Sequence, residues 1–177
     1  MATTKILIAG FGGQGILFTG KAIAFTGLKA DLEVSWLPSY GPEMRGGTAN
    51  CSITLSDTPI GSPIVDKPDI LIAMNLPSLE KYYNETVSGG YVVYDSSLIN
   101  KEDFRNDIKT FGISATKLAS ENGLDGLANM IILGKVLKET NVLTLKQVVD
   151  SLTQMVPAKK AQLLANNVKA IELGYNF

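Results

Sequence analysis

A glycine-rich loop near the amino terminus is the first segment whose residue types could do chemistry. Residues 10–15 read Gly-Phe-Gly-Gly-Gln-Gly, which satisfies the G-x-G-x-x-G pattern between an apolar run and a helical pattern. In this pattern the first glycine permits a tight turn, the second lets the backbone approach a ligand, and the third lets helix and strand pack closely. Unpaired N–H groups at the helix start favour phosphate or pyrophosphate. The candidate binding residues of this glycine loop are Gly10, Gly12, Gly13, Gln14 and Gly15.

Three interpretations of the glycine loop are open on its residues alone. A nicotinamide or flavin nucleotide site requires an acidic residue at the end of the second strand to bind the ribose. That strand ends in Trp36-Leu37-Pro38-Ser39, and Glu33 stands near its start, so the acid is missing. The other two interpretations are a site for another phosphate-bearing ligand or a docking surface, and a turn that only packs strand against helix.

The segment after the second strand carries one of only two arginines in the chain. Residues 38–47, the arginine loop, read Pro-Ser-Tyr-Gly-Pro-Glu-Met-Arg-Gly-Gly, and the second arginine is Arg105. A guanidinium binds carboxylate or phosphate through two parallel hydrogen bonds. In a doubly wound sheet the arginine loop would face the same crevice as the glycine loop. Its candidate residues are Tyr40, Glu43, Arg45 and Gly46; the alternative is that Glu43 and Arg45 are solvated loop charges.

The composition excludes several kinds of active site. The 177 residues include no histidine and one cysteine, Cys51. The chain alone therefore cannot build a Cys-ligated iron–sulfur cluster, a His/Cys zinc site, or a Ser-His-Asp or Cys-His catalytic unit. A single cysteine forms no disulfide within the chain, which predicts a reducing, cytoplasmic setting. The net charge of −1 argues against nucleic-acid binding, and no apolar run approaches the roughly 20 residues of a membrane span.

Alternating apolar runs and helical patterns predict a single α/β domain over residues 1–177. Strands are expected at 5–9, 33–37, 70–74 and 91–94, with an outer strand at 107–112 and an antiparallel strand with one wetter face at 48–55. Residues 60–65 are expected to pair back as a hairpin. Helices are expected at 13–30, after Asn75, at 114–121 and 127–138, after a Thr144/Gln147 capping box, and from near Pro157. The sum is a three-layer Rossmann-like domain with a mostly parallel sheet, at least one antiparallel strand and a helical C-terminal third.

The glycine loop and the arginine loop together resemble the gamma subunit of 2-oxoacid:ferredoxin (acceptor) oxidoreductases. Further matches to that family follow in order within residues 5–140: Pro63, residues 68–75, the pair Gly89-Gly90, and residues 128–134, Ala-Asn-Met-Ile-Ile-Leu-Gly. Around the arginine, Ser-Tyr-Gly-Pro-Glu-Met-Arg-Gly-Gly looks most like the 2-oxoglutarate type, with the branched-chain 2-oxoacid type second. The pyruvate type usually shows Phe-Gly-Pro-Glu-Arg-Arg-Gly at this place.

This resemblance implies one subunit of a multichain enzyme that oxidatively decarboxylates a 2-oxoacid, here 2-oxoglutarate, to its acyl-coenzyme A. The implied partners are alpha and beta catalytic chains and a small ferredoxin-like chain, with ferredoxin or flavodoxin as electron acceptor. In the family those chains hold thiamine diphosphate, Mg²⁺ and the iron–sulfur clusters, whereas the gamma chain holds no redox centre and is inactive alone. In single-chain relatives the equivalent domain lies over the active-site entrance and helps to place coenzyme A, so the resemblance implies that the two loops contact coenzyme A or a neighbouring chain. The isolated chain could pair with a second copy of itself.

Two other functions are open on the residues. One is a stand-alone nucleotide-dependent oxidoreductase, and the other is a non-catalytic nucleotide sensor or scaffold. The missing ribose-binding acid at the end of the second strand disfavours the first of these.

Overall fold

The computed structural model describes residues 3–39 and 48–177. In these ranges the chain forms six strands and six α-helices. The strands are β1 (Thr4–Phe11), β2 (Glu33–Ser39), β3 (Thr48–Ser56), β4 (Ile70–Ala73), β5 (Tyr91–Asp95) and β6 (Lys109–Ile113). The helices are α1 (Ile16–Lys29), α2 (Leu76–Tyr82), α3 (Ala115–Glu121), α4 (Ala128–Thr140), α5 (Leu145–Met155) and α6 (Ala161–Tyr175). Apart from the hairpin at 60–65, the elements expected from the sequence, including the helical C-terminal third, are therefore present with shifts of a few residues at their ends.

All six strands form one sheet in the order β2-β3-β1-β4-β5-β6. The pairs β1–β4, β4–β5 and β5–β6 are parallel, whereas β3 pairs antiparallel with both β1 and β2. The predicted mostly parallel sheet with an antiparallel strand at 48–55 is confirmed. β2 runs in the same direction as β1, but β3 is inserted between them. The ends of β1, β2, β4, β5 and β6 therefore share one edge of the sheet, which we call the carboxyl edge; the opposite edge is the amino edge.

Helices cover both faces of this sheet, which confirms the three-layer arrangement. On one face α1, α3, α4, α5 and α6 share an apolar cluster with β1, β3 and β4. On the other face α2 and neighbouring loops form a smaller cluster around Leu7, Leu71 and Leu79. As its apolar pattern predicts, α4 is buried over most of its surface. It crosses α6 so closely that a Cβ on Gly134 would collide with the Ile171 carbonyl.

The chain between β3 and β4 departs from two predictions. Residues 60–65 form turns and irregular chain instead of a hairpin strand. The face of β3 that was expected to be wetter is buried, because Ser52 and Thr54 are only 7% and 2% exposed. β3 lies inside the sheet, and Val65 packs over the face that carries Leu7, the register partner of Ser52. Both faces of β3 therefore exclude water, which alternation of residue types alone could not reveal.

β2 also departs from its prediction, because it continues through Pro38 to Ser39 rather than ending before the proline. Pro38 pairs with Cys51 of β3. Proline has no N–H to donate, and a strand at the edge of a sheet tolerates it because one of its sides needs no partner. The longer β2 brings the start of the arginine loop to the carboxyl edge.

Candidate functional site

The glycine loop lies at the carboxyl edge, between the end of β1 at Phe11 and the start of α1 at Ile16. Gly15 is the N-cap of α1 with φ 76°, and no side chain caps the helix. The first turn of α1 contains no acidic residue. Since the first N–H groups of a helix have no partner within the helix, this end of α1 offers donors and a partial positive charge to an anion.

The side chain of Gln14 ties the glycine loop to the next strand of the sheet. Its Oε1 accepts a hydrogen bond from the Phe11 N–H at 2.6 Å, and its Nε2 donates to the Met74 carbonyl at 3.0 Å. Asn75 Nδ2 also donates to Gln14 Oε1, at 3.4 Å. The crevice between the parallel strands β1 and β4 is thus bridged by the Gln14 amide; β2 and β3 lie on one side of this crevice, and β5 and β6 on the other. Gln14 fixes the loop, and the Phe11 N–H already has a partner.

Gly10 has a different role from the tight turn expected of the first glycine. It lies within β1, and a Cβ there would be 2.6 Å from Gln14 Oε1 and 2.8 Å from Met74 Cβ. Its missing side chain therefore makes room for the Gln14 amide. The turn itself uses Gly13 and Gly15, whose φ angles of 91° and 76° lie in the left-handed region.

The third glycine of the pattern also packs differently from the expectation. A Cβ on Gly15 would collide with the side-chain amide of Asn129 in α4, and not with a strand. Close packing of helix against sheet comes instead from Gly20 and Gly27 of α1, where a Cβ would meet Cys51 and Leu55 of β3. The sequence places Asn129 in the family-like segment 128–134 but gives no signal for its contact with the glycine loop.

Two pockets flank the glycine loop. One, of about 300 Å³, is mainly apolar and is lined by Phe11, Gly12, Gly13, Gly15, Ile16, Leu17, Phe18 and Ala49. The other, of about 330 Å³, lies between the loop and the α3–α4 connection; its polar side chains are Gln14, Thr116, Ser120 and Asp125. A third cavity, of about 370 Å³, lies at the amino edge around Asp69 and Gly90, away from the glycine loop. A ligand at the carboxyl edge therefore has space on both sides of the loop.

The predicted residues Tyr40, Glu43, Arg45 and Gly46 lie outside the described residues. The residues on either side of them are described. Thr48 pairs with Phe11, and Ser39 pairs with Asn50, which itself pairs with Ala9. Ser39 and Thr48, the described residues on either side of this segment, therefore lie at the carboxyl edge, two strands or less from the glycine loop.

Arg105, the other arginine, is held in a corner of the amino edge. Its Nε and Nη2 donate to the two carboxylate oxygens of Asp107 at 2.9 and 2.6 Å. Its Nη1 donates to the carbonyls of Asn84 and Thr86 at 3.2 and 3.0 Å. The hydrogen bonds from Arg105 hold the pKa of Asp107 below its ordinary value. Arg105 therefore has a structural role, because it connects Asp107 to the backbone at Asn84 and Thr86, far from the glycine loop.

The geometry disfavours a nicotinamide or flavin nucleotide at the glycine loop. Glu33 pairs with Ser56 at the amino end of β2, at the opposite edge from the loop. The strand next to β1 on that side is β3, so the end of β2 is one strand further away than a ribose-binding acid would need to be. The Phe11 N–H is also occupied by Gln14.

In the described part of the chain, neither the cysteine thiol nor the carboxylates form a reactive centre. Burial raises the pKa of the Cys51 thiol to about 11, partly offset by a hydrogen bond with Trp36, so the thiol stays protonated at neutral pH. Among residues 3–39 and 48–177, no group of three or more His, Cys, Asp or Glu side chains could hold a metal ion. None of the helices in these ranges is long and apolar enough to cross a membrane.

Comparison with known families adds to this geometry. A family model described as pyruvate ferredoxin/flavodoxin oxidoreductase matches residues 5–177, nearly the whole chain. The chain belongs to this family. The resemblance carried by the glycine and arginine loops is thereby confirmed, and the match extends beyond residue 140 through the C-terminal helices.

Family members of two lengths are similar to this chain. Ketoisovalerate oxidoreductase subunit VorA of Methanothermobacter thermautotrophicus is 38% identical over 130 residues, which are 73% of this chain and 27% of VorA. The chain thus spans about a quarter of the length of that relative. 2-Oxoglutarate synthase subunit KorC of Methanocaldococcus jannaschii is 32% identical over 174 residues, 97% of this chain and 91% of KorC.

Solved structures of the family have the same fold. The 2-oxoglutarate:ferredoxin oxidoreductase of Magnetococcus marinus, solved with 2-oxoglutarate, coenzyme A and succinyl-CoA bound, superposes with a TM-score of 0.89 at 24% identity, over 99% of this chain and 31% of that one. The gamma subunit of a keto/oxoacid ferredoxin oxidoreductase from Geobacter sulfurreducens gives a TM-score of 0.82 at 25% identity, over 98% and 96% of the two chains. The fold of this family member therefore occurs both as a separate subunit and as part of a longer chain.

Proposed function

We propose that this chain is the gamma subunit of a multichain 2-oxoacid:ferredoxin (acceptor) oxidoreductase that converts 2-oxoglutarate to succinyl-CoA. The observation that carries the proposal is the end-to-end correspondence with KorC, which covers 97% of this chain and 91% of its relative. The chain acts as one domain over residues 1–177. It helps to assemble the active site and to place coenzyme A, and it is inactive alone.

The redox and decarboxylation centres belong to partner chains in this proposal. With no histidine and one cysteine, buried with its thiol protonated, this chain does not fit an iron–sulfur cluster. Alpha and beta chains hold thiamine diphosphate, Mg²⁺ and clusters, with a small ferredoxin-like chain beside them and ferredoxin or flavodoxin as acceptor. Thiamine diphosphate, when bound there, supplies the electron sink for decarboxylation. Because both parts are required, the enzyme works only as an assembly. We place this assembly in the reducing cytoplasm, since the single cysteine forms no disulfide within the chain.

Coenzyme A is the ligand that the glycine loop fits best. The uncapped start of α1, without an acidic residue in its first turn, offers N–H donors to a phosphate. Gln14 holds the loop in place through its hydrogen bonds with the Phe11 N–H and the Met74 carbonyl. Arg45, which lies in sequence between the edge residues Ser39 and Thr48, would add a guanidinium for phosphate or for a neighbouring chain. The coenzyme A in the Magnetococcus marinus enzyme is consistent with this assignment.

A branched-chain 2-oxoacid is the second candidate substrate. The observation that favours it is the identity with VorA, 38% against 32% for KorC, although the VorA match ends after 130 residues. In either case the oxoacid reacts at a centre held by the partner chains. The sequence identity of the gamma chain with VorA or KorC is therefore a weaker guide to the oxoacid than the residues of the partner chains that bind it.

The substrate is tested in the assembled enzyme with coenzyme A and a viologen dye as electron acceptor. The chain is co-expressed with its partner chains, and initial rates are measured for 2-oxoglutarate, ketoisovalerate and pyruvate. The proposal predicts the highest kcat/KM for 2-oxoglutarate. A higher value for ketoisovalerate or pyruvate would assign the assembly to that oxoacid, and NADH-dependent activity of the chain alone would overturn the subunit assignment itself.

A further inference from the structure

Asn129 joins the C-terminal helical layer to the glycine loop. It is the second residue of α4 and is only 5% exposed. Its Nδ2 donates to the Gly15 carbonyl at 3.3 Å and to Thr19 Oγ1 at 3.0 Å. Thr19 in turn donates from its hydroxyl to the same Gly15 carbonyl at 3.2 Å. The last residue of the glycine loop is therefore held by two side chains more than 100 positions apart in sequence.

The conformation of Gly15 depends on this arrangement. Its φ of 76° turns the backbone from the loop into α1, and its carbonyl also accepts the Thr19 N–H at 3.0 Å, the first bond of the helix. A Cβ on Gly15 would occupy the place of the Asn129 amide. The absent side chain of Gly15 and the amide of Asn129 therefore fit one another.

An asparagine at position 129 lowers the stability of the fold if its only role is to fill the core. Its Oδ1 is buried and has no hydrogen-bond partner among the residues that the structure describes. A buried acceptor without a partner destabilises a fold, and leucine has nearly the same shape without that cost. The donor contacts from Nδ2 are then what the asparagine supplies and leucine would not.

We propose that Asn129 is a positioning residue that sets the glycine loop for ligand binding through Gly15 and Thr19. The proposal rests on the proposed function, in which this loop contacts coenzyme A. Asn129 fixes the carbonyl of Gly15, so the N–H groups of the first turn of α1 keep one direction. Loss of the amide loosens the turn while the apolar layer between α1 and α4 remains.

The test compares Asn129→Leu with Asn167→Leu in the assembled enzyme. Asn167 of α6 is a matched control, because it is 2% exposed, donates to the Leu163 carbonyl at 2.7 Å, and also has a buried Oδ1 without a partner among the described residues. It lies away from the glycine loop. We expect Asn129→Leu to raise the KM for coenzyme A by about tenfold with a smaller change in kcat, and Asn167→Leu to leave both unchanged.

Melting temperature and a second pair of variants separate positioning from stability. Asn129→Leu should melt no lower than the native chain, since it removes the unpartnered acceptor. Thr19→Val should raise the KM for coenzyme A in the same direction, and Thr19→Ser, which keeps the hydroxyl, should restore it. If Asn129→Leu fails to fold, Asn129→Ser, which keeps a donor, is compared with Asn129→Ala by the same KM ratio.

The outcomes distinguish this inference from the function on which it rests. A raised KM for Gly12→Ala with an unchanged KM for Asn129→Leu would overturn the positioning role and leave the proposed function intact. Unchanged KM values for both variants would overturn the role of the loop in coenzyme A binding, and with it the positioning role. Equal changes in the KM for coenzyme A in Asn129→Leu and Asn167→Leu would also overturn the inference, because they would show that Asn129 acts only as a packed core residue.

Discussion

The glycine loop and the crossing of α4 with α6 both depend on glycines, but they use them for different purposes. At the crossing, Gly134 and Gly174 bring two backbones together, and a Cβ on either would collide with a backbone carbonyl of the other helix. In the glycine loop, Gly10 and Gly15 make room for the side-chain amides of Gln14 and Asn129. Backbone cannot move aside cheaply, whereas an amide side chain can. The crossing is therefore a determinant of stability, and the loop is a place where geometry can change without unfolding.

The largest expected effect is the loss of stability in Gly134→Ala. The added methyl must separate α4 from α6, because the Ile171 carbonyl that it meets is fixed in a helix. Overpacking of this kind costs about 3 kcal/mol in free energy of unfolding. Thermal or urea unfolding of the chain measures it. The control is Gly61→Ala, where nothing lies within 4 Å of the new methyl, so little change is expected. Equal stability of the two variants would contradict the comparison.

The next effect separates the two arginines. Arg45→Ala removes one charge-assisted contact with ligand or partner, which is worth about 1.5–3 kcal/mol, or roughly 10- to 100-fold in kcat/KM for coenzyme A. Its melting temperature should not change, and Arg45→Lys should restore activity only in part, because a point charge replaces a planar fork. Arg105→Ala is the matched control; it loses the Asp107 pair and two carbonyl contacts, so it should melt lower with unchanged coenzyme A kinetics. Unchanged coenzyme A kinetics in Arg45→Ala would contradict the prediction and would mean that Arg45 is a solvated loop charge.

Within the loop, Gly15→Ala and Gly12→Ala are expected to differ. Gly15→Ala combines a left-handed φ with a collision against Asn129, so it should lower stability by about 1–2 kcal/mol. Gly12→Ala places a methyl where a ligand is expected to approach the backbone, so it should lower activity with little change in melting temperature. Melting curves and coenzyme A kinetics of the assembled enzyme are measured side by side. Parallel loss of stability in both variants, with full activity recovered at low temperature, would mean that the loop is only structural.

The smallest effect concerns acid stability at the amino edge. Because the hydrogen bonds from Arg105 lower the pKa of Asp107 from its ordinary value of 3.8, the carboxylate stabilises the fold above that pH. This contribution is lost as the pH falls through the lowered pKa. Asp107→Asn should therefore show a shallower fall in melting temperature below about pH 4 than the native chain. An identical pH profile for the two would show that the pair contributes nothing.

The fold could be predicted well from the sequence because its signals are local. Apolar runs such as 70–74, the Asn75 cap and the Thr144/Gln147 capping box each depend on neighbouring residues, and the structure contains all of them. The predictions that β2 ends before Pro38 and that one face of β3 is wetter were wrong, because both features depend on the order of strands in the sheet. β3 lies between β1 and β2, so its hydroxyl-bearing face is covered, and Pro38 is tolerated because β2 is an edge strand.

The candidate site was predictable in position but not in its supporting contacts. The glycine pattern predicted the loop and its place at the start of a helix. The hydrogen bond of Gln14 with Phe11 is local, since the two residues are three positions apart, but its bond to the Met74 carbonyl joins segments 60 positions apart. Asn129 lies 114 positions from Gly15, and only the fold brings them together. Long-range amide contacts of this kind leave no periodic signal in a sequence.

The most direct measurement is an add-back assay of this chain with its partner chains. Reduction of a viologen dye that depends on 2-oxoglutarate and coenzyme A is followed for this chain alone, for the partner chains alone, and for the two combined. We expect no turnover by this chain, and coenzyme A-dependent turnover only when it is combined with its partners. Turnover by this chain alone, or full turnover by the partner chains without it, would contradict its assignment as the subunit that completes the site.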